Sequence, residues 1–289
     1  MALPRWVRDT LVLVAIFAVF LGALYVYTGT WPPAVIVESG SMMHADNEVS
    51  YGRIGTIDPG DLVLVKRVGS VEDVQTLVEG GPTHDGKAGD VIVYFPSNDR
   101  ARTPIIHRAV AYVEILGDAG NPTGYRVRWN ADAPCEGGAA KDPADAHWCV
   151  YDRNGILIPS VPVDQPQNRG PPRAYRPVAS GFMTKGDNPA TNAQTDEVAG
   201  ISPAPVPLAW IEGKARGELP WLGLVKLALA GRVNEPNAPG TWTHVGSAYA
   251  PKDLWVCLAI SLTVIIGGPL AYDGYKSYRE RRTQKPPQT

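Results

Sequence analysis

The chain has 289 residues, a formal net charge of −2 and 44% hydrophobic residues. That length holds one large or two modest domains, and the apolar share excludes a disordered composition. The near-neutral charge lacks the basic footprint of a nucleic-acid partner, while 30 Gly and 27 Pro indicate many turns and irregular connections.

Residues 1–9 carry Arg5 and Arg8 and precede an uncharged apolar run from Leu11 to Tyr27. With its neighbours, this run supplies the ~20 residues of a bilayer-spanning helix, predicted over 10–29. No small-x-small cleavage site closes it, and it exceeds the apolar part of a usual signal peptide. A second run, Leu254 to Tyr272, predicts a span over 254–273, with Gly267, Gly268 and Pro269 positioned to kink it. Residues 274–289 form a basic tail with Lys276, Arg279, Arg281, Arg282 and Lys285. Basic flanks outside both spans place both termini in the cytoplasm, so residues 30–252 are expected to be extracytoplasmic. Tyr25, Tyr27 and Trp31 would meet the same outer interface as Tyr249 and Trp255. The lipid bilayer is therefore an expected partner, and the cell membrane the expected location.

Between the spans, Val35, Ile36 and Val37 deliver the chain in extended form to Ser39, Gly40, Ser41 and Met42, after which residues 43–51 read as a loop. Pro59 and Gly60 form a turn opening a strand at Leu62 to Val65. Val91 to Tyr94, Ile105 to Val113 and Tyr125 to Trp129 repeat the strand pattern. Many short β segments without a βαβ rhythm predict a mainly β domain. Residues 130–175, rich in Pro, Asp, Ala and Gly, read as a surface insert. A Cys135–Cys149 disulfide would staple it, since an external compartment permits one. His147 and Asp145 nearby offer a metal alternative, but no second cysteine pair supports it. A strand at Ala179 to Lys185 runs into a turn at Gly186, Asp187 and Asn188. Leu219 to Lys226, around Trp221, is either a core segment or an apolar surface lying on the bilayer.

A serine hydroxyl becomes a useful nucleophile only when a neighbouring base takes its proton. Of the five histidines, His107 stands out because it interrupts an apolar strand beside Arg108. His84 and His147 fall in polar loops, and His44 is close to Ser41 in the chain. Asp187, after Gly186, and Asp196, nine residues on, are both candidates to orient His107. A desolvated Lys66 or Lys185 is an alternative base. The bare residue pattern leaves these choices open.

The ordered set of segments resembles type I signal peptidases of the archaeal and endoplasmic-reticulum kind. Ser39 to Met42 matches the nucleophile segment, and Gly60 to Val65 and Gly89 to Val93 match the next strands. Ile106 to Arg108 matches the base segment, Thr184 to Asn188 the acidic one, and Gly213 to Gly217 through Pro220 to Gly223 the closing one. The resemblance implies a signal-peptidase-like antiparallel β domain between two transmembrane helices. It implies Ser41 as nucleophile, His107 as base, Asp196 as the favoured third member and Asp187 as a supporting carboxylate, with Glu197 a weaker substitute. Ser39 Oγ and the Ser41 N–H would form the oxyanion hole, as in similar signal peptidases. The chain departs from the family where Met43 and His44 replace a proline soon after Ser-Met, and in its longer segments 44–57 and 130–175.

The expected activity is a membrane-bound serine endopeptidase that removes signal peptides from secreted and membrane pre-proteins. The partners would be those signal peptides and the protein-export machinery; no cofactor or metal is expected. Ile36, Val37, Met42, Ile105 and Ile106 would line a shallow apolar cleft for small substrate side chains. Two alternatives remain: a membrane-tethered processing protease of narrow specificity, or a non-catalytic scaffold or binding subunit with the same fold.

Overall fold

Alternating and fully apolar β-branched runs set the centre of the molecule. In this computed structural model, which describes residues 4–44, 55–118, 120–158, 174–189, 191–220, 222–229 and 252–283, they form β1 (Ala34–Ile36), β2 (Leu62–Lys66), β3 (Thr83–His84), β4 (Lys87–Ala88), β5 (Val91–Tyr94) and β6 (Ile105–Asp118). There follow β7 (Asn121–Arg128), β8 (Ala140–Lys141), β9 (Trp148–Asp152), β10 (Gly181–Lys185) and β11 (Ile211–Leu219). The main sheet runs β1-β2-β11-β5-β6-β7-β9-β8, with β10 also pairing β6, and β3–β4 form a separate hairpin. Every pairing is antiparallel.

The long β6 is the hub. It pairs β5 through Ile105 to Arg108 and β10 through Arg108 to Val113, and then β7 from Val113 to Asp118. Successive β side chains point to opposite faces, and two buried clusters divide accordingly. Ile92, Tyr94 and Ala109 pack with Phe182 and Val206, whereas Val91 packs with Val37, Met42, Ile57, Val63 and Ala215. A third cluster, around Tyr125, Val127, Cys149, Tyr151, Ile156 and Ile158, fills the β7–β9 end. His107 thus sits on a strand anchored by packing on both faces.

The sequence assigns residues 130–175 to a surface insert; residues 143–147 are indeed exposed, but β8 and β9 belong to the sheet, and Cys149, Tyr151, Ile156 and Ile158 to its core. Trp148 to Asp152 alternate in burial and pair with β7, and Cys149 and Tyr151 are enclosed. Cys135 and Cys149 are joined by a disulfide with Cα atoms 5.7 Å apart. Both sulfurs are therefore committed to each other and withdrawn from the metal alternative.

Helix α1 (Arg5–Thr28) and helix α3 (Lys252–Thr283) are each long and apolar enough to cross a membrane, over Val7–Thr28 and Leu258–Glu280. Leu13, Phe17, Val19, Val264 and Ile265 are exposed in the bare chain; lipid would cover such side chains where water would not. The left-handed Gly29 (φ 68°) ends α1, its N–H donating to Tyr25 O at 2.8 Å. The helix end is then tied to the sheet: Arg67 N–H donates to Thr28 O at 2.7 Å, and Thr30 Oγ1 to Glu212 at 2.7 Å. Helix α3 passes through Pro269 and continues beyond residue 273, so part of the expected tail is helical.

A short helix, α2 (Leu224–Leu229), supplies features of both readings of its segment. Leu224 and Leu227 are buried, while Leu222 and Val225 are 38% and 44% exposed. Trp221, Tyr249, His244, Lys285 and the loop residues 45–54 lie outside the described residues, as do 159–173.

Candidate active site

β1 feeds Val37 into the core, and the chain then turns at residues 39–42. Met42 is 1% exposed and locks the turn from beneath, which leaves Ser39 and Ser41 half-buried at its rim. The turn is held from the far side by the segment after β10. Asn188 N–H donates to Ser41 O at 2.9 Å, and Asn188 Nδ2 donates to Gly40 O at 2.8 Å. Gly186 permits that approach, since a Cβ there would lie 2.6 Å from Ser41 O. The sequence pointed to a tight turn at this glycine; the observed reason for it is contact with the Ser41 backbone.

His107, 4% exposed on β6, places Nε2 2.9 Å from Ser41 Oγ. Its Nδ1 lies 2.7 Å from Asp196 Oδ2. The structure thereby brings Ser41, His107 and Asp196 into one hydrogen-bonded line. Asp196 is positioned by its backbone, whose N–H donates to Thr184 O at 2.8 Å. Its Oδ2 also accepts from Tyr94 Oη and Thr184 Oγ1, each at 2.7 Å. Burial opposes ionisation of Asp196, but the charge and hydrogen bond of His107, with those from Thr184 and Tyr94, outweigh it and hold the carboxyl below its ordinary range. Burial and the Asp196 charge push the Tyr94 phenol well above its usual value, so it remains a donor.

Asp187 has a different job. Both of its oxygens accept from Arg108 Nε, at 3.0 and 3.1 Å, and Oδ2 accepts from Arg108 Nη2 at 2.6 Å. Burial would raise this carboxyl; hydrogen bonds from His44 and Arg108, then the charges of Arg108 and Lys87, hold it down at about 2. Glu197 does not reach His107. It accepts from Thr184 N–H at 3.1 Å, and burial of its carboxyl followed by the charge of Asp196 pushes it up to about 8. At neutral pH it is uncharged, which spares the Asp196 pocket a second negative charge.

Neither lysine alternative is a partner of Ser41 Oγ, whose bonds go to His107 and Ser39. Lys66 is exposed, with Nζ 5.7 Å from the Tyr27 ring centroid. Lys185 is half-buried, and burial with the nearby Lys87 charge lowers it, but Ser41 Oγ is bonded to His107 and, at 3.2 Å, to Ser39 Oγ. His84 turns toward Asp90 at 3.6 Å, and the His147 N–H donates to its neighbour Asp145.

The single cleft predicted from Ile36, Val37, Met42, Ile105 and Ile106 is divided by the packing. Val37 and Met42 are enclosed in one core cluster, with Ile106 packed against it, while Ile105 packs against the cluster on the opposite face. Strand alternation forces that division, because Ile105 and Ile106 are neighbours on β6. Ile36 is half-buried on β1. His44 follows Ser41 by only three residues, a closeness that argues against it as the base, and the structure gives it a partner in Asp187 instead.

No protein-family model, curated protein or solved structure matches the chain.

Proposed function

We propose that this chain is a membrane-bound serine endopeptidase, resembling type I signal peptidases, that removes N-terminal signal peptides from exported pre-proteins. The observation that carries the reading is the continuous line from Ser41 Oγ through His107 to Asp196, with steps of 2.9 and 2.7 Å. Ser41 remains half-buried at the rim while its two partners are enclosed, an arrangement that exposes the nucleophile and keeps the base in a water-poor setting.

In the proposed reaction, Ser41 Oγ attacks the scissile carbonyl carbon as its proton passes to His107 Nε2. Asp196 keeps His107 Nδ1 protonated and stabilises the imidazolium. The C–N bond then breaks, the Nε2 proton goes to the leaving amine, and an acyl-Ser41 ester remains. Water, deprotonated by the same nitrogen, releases the signal peptide as a carboxylate. Ser39 Oγ and the Ser41 N–H would serve as oxyanion donors, as the resemblance to signal peptidases implies, each able to contribute about 3 kcal/mol.

Two further features support the cellular setting. Helices α1 and α3 would anchor the domain beside the bilayer, where a signal peptide also resides, and so raise the effective substrate concentration. The Cys135–Cys149 disulfide suits an oxidising, extracytoplasmic compartment. Basic residues flanking the helices favour cytoplasmic termini.

The test is processing of several secretory precursors in membranes carrying either the wild type or Ser41→Ala. Cleavage of the full set, lost in the variant, supports the proposal. Cleavage of one client alone points to a narrow processing protease, and equal processing by Ser41→Ala to a non-catalytic scaffold.

A further inference from the structure

The Ser41 turn is fastened a second time, beyond the serine. His44 folds its imidazole into the protein, 8% exposed, with Nε2 3.1 Å from Asp187 Oδ2. Asp187 is itself immobilised by the three contacts from Arg108 at 3.0, 3.1 and 2.6 Å. The same guanidinium holds the β3–β4 hairpin: Arg108 Nη1 donates to Gly89 O at 2.5 Å and His84 O at 3.0 Å, and Nη2 donates to Asp85 O at 3.3 Å. At the hairpin tip, Asp85 and Gly86 adopt φ values of 50° and 79°, and Gly86 lies against the imidazole. A Cβ on Gly86 would lie 2.6 Å from His44 Cε1. His44 is therefore wedged between a buried carboxylate and a glycine, both fixed by one arginine.

A second base is the competing role, because two His–Asp pairs flank Ser41. The hydrogen bonds decide against it. His44 Nε2 is committed to Asp187, and Ser41 Oγ meets His107 Nε2 and Ser39 Oγ. Asp187 stays ionised across the neutral range, so an Nε2–H on His44 has an acceptor whether the ring is neutral or charged.

We propose that His44 is a positioning residue: by donating Nε2–H to Asp187 it ties the downstream end of the Ser41 turn to the Arg108–hairpin unit and keeps Ser41 Oγ within reach of His107. The inference rests on the reading of Ser41 as nucleophile. Asn188 restrains the backbone at Gly40 and Ser41; His44 adds the restraint on the side where the chain leaves. A displacement of about 1 Å at a reacting atom can cost about 100-fold in rate.

The experiment measures kcat, KM and melting temperature of the full-length chain in lipid vesicles, with a synthetic precursor peptide as substrate. His44→Leu is expected to lower kcat about 10- to 100-fold with KM within about twofold. His44→Gln, whose amide N–H has nearly the reach of Nε2, should recover kcat to within about threefold of wild type. In an Asp187→Ala background, which removes the acceptor, His44→Leu should cost less than about twofold more, because the two residues act as one unit. Wild-type kcat in His44→Leu overturns the proposal. So does equal loss in the Leu and Gln variants combined with multiplying losses in the double variant. Should His44→Leu fail to fold, His44→Asn, whose donor falls short of Asp187, takes its place in the same comparison. Ser41→Ala runs alongside: wild-type cleavage there would sink the protease reading, whereas an inactive Ser41→Ala with an unaffected His44→Leu removes the positioning role alone.

Discussion

Replacing each aspartate with asparagine should damage the protein in a different way. Asp196→Asn keeps the side-chain volume but sets an amide N–H, a donor, where Oδ2 accepts from His107, Tyr94 and Thr184. It cannot hold His107 Nδ1–H as a carboxylate does, at 2.7 Å. The imidazole then favours the tautomer that points a hydrogen at Ser41, and kcat should fall about 10⁴-fold. Asp187→Asn instead strands the Arg108 guanidinium, 1% exposed, without its counter-charge. Breaking a buried pair from one side costs about 3–5 kcal/mol. The Asp187 carboxyl held at about 2, against an ordinary value of 3.8, accounts for about 2 kcal/mol of that by linkage. Because this value is depressed in the folded state, its stabilisation is complete above about pH 4 and is lost as the pH falls toward 2. Urea unfolding followed by tryptophan fluorescence from pH 2 to 7, together with cleavage rates, measures both effects. The wild type should lose stability across the acid window, and Asp187→Asn should lack that component of the slope. A 10⁴-fold rate loss in a fully stable Asp187→Asn, with near-normal activity in Asp196→Asn, would refute the division of roles.

Two other outcomes follow from the buried groups. Glu197, raised to about 8 from an ordinary 4.5, keeps its proton in the folded state, so it lowers stability progressively as pH rises from about 4.5 to 8. Glu197→Gln should therefore be more stable than wild type at pH 8 by roughly 2–4 kcal/mol, with the gap closing near pH 5; a gap independent of pH in urea unfolding would contradict this. Replacing both Cys135 and Cys149 by Ser opens a loop with a sequence separation of 14 and should cost about 3 kcal/mol. Cleavage below the lowered melting temperature should stay near wild type, and lost cleavage at unchanged stability would show that the disulfide serves the site directly.

The sequence makes the strand before Ser41 and the strand around His107 legible because β-branched and apolar residues crowd those short windows. It leaves Asp187 and Asp196 as rivals, since a turn residue reveals its carboxylate's partner only when β6 and β10 are brought together. His44 was hidden for the same reason: its contact with Asp187 joins residues 143 apart. The residues near Ser41 are legible as apolar, but one cleft cannot hold them all, because strand alternation sends Ile105 and Ile106 to opposite faces. Residues 130–175 looked irregular because polar and small residues surround β9, whereas its alternating Cys149 and Tyr151 complete a core shared with β7. Both apolar helices could be read directly, as their composition needs no tertiary partner to be recognised.

The central claim is that Ser41 forms a covalent ester with the signal-peptide half of its substrate. Full-length protein in lipid vesicles, mixed with a synthetic precursor and acid-quenched during turnover, can be digested and weighed by mass spectrometry. The account predicts a peptide containing Ser41 that is heavier by the acyl fragment, formed and lost at rates compatible with kcat, and absent from Ser41→Ala along with product. Continued cleavage by Ser41→Ala, with the acyl group on another residue or on none, would contradict it.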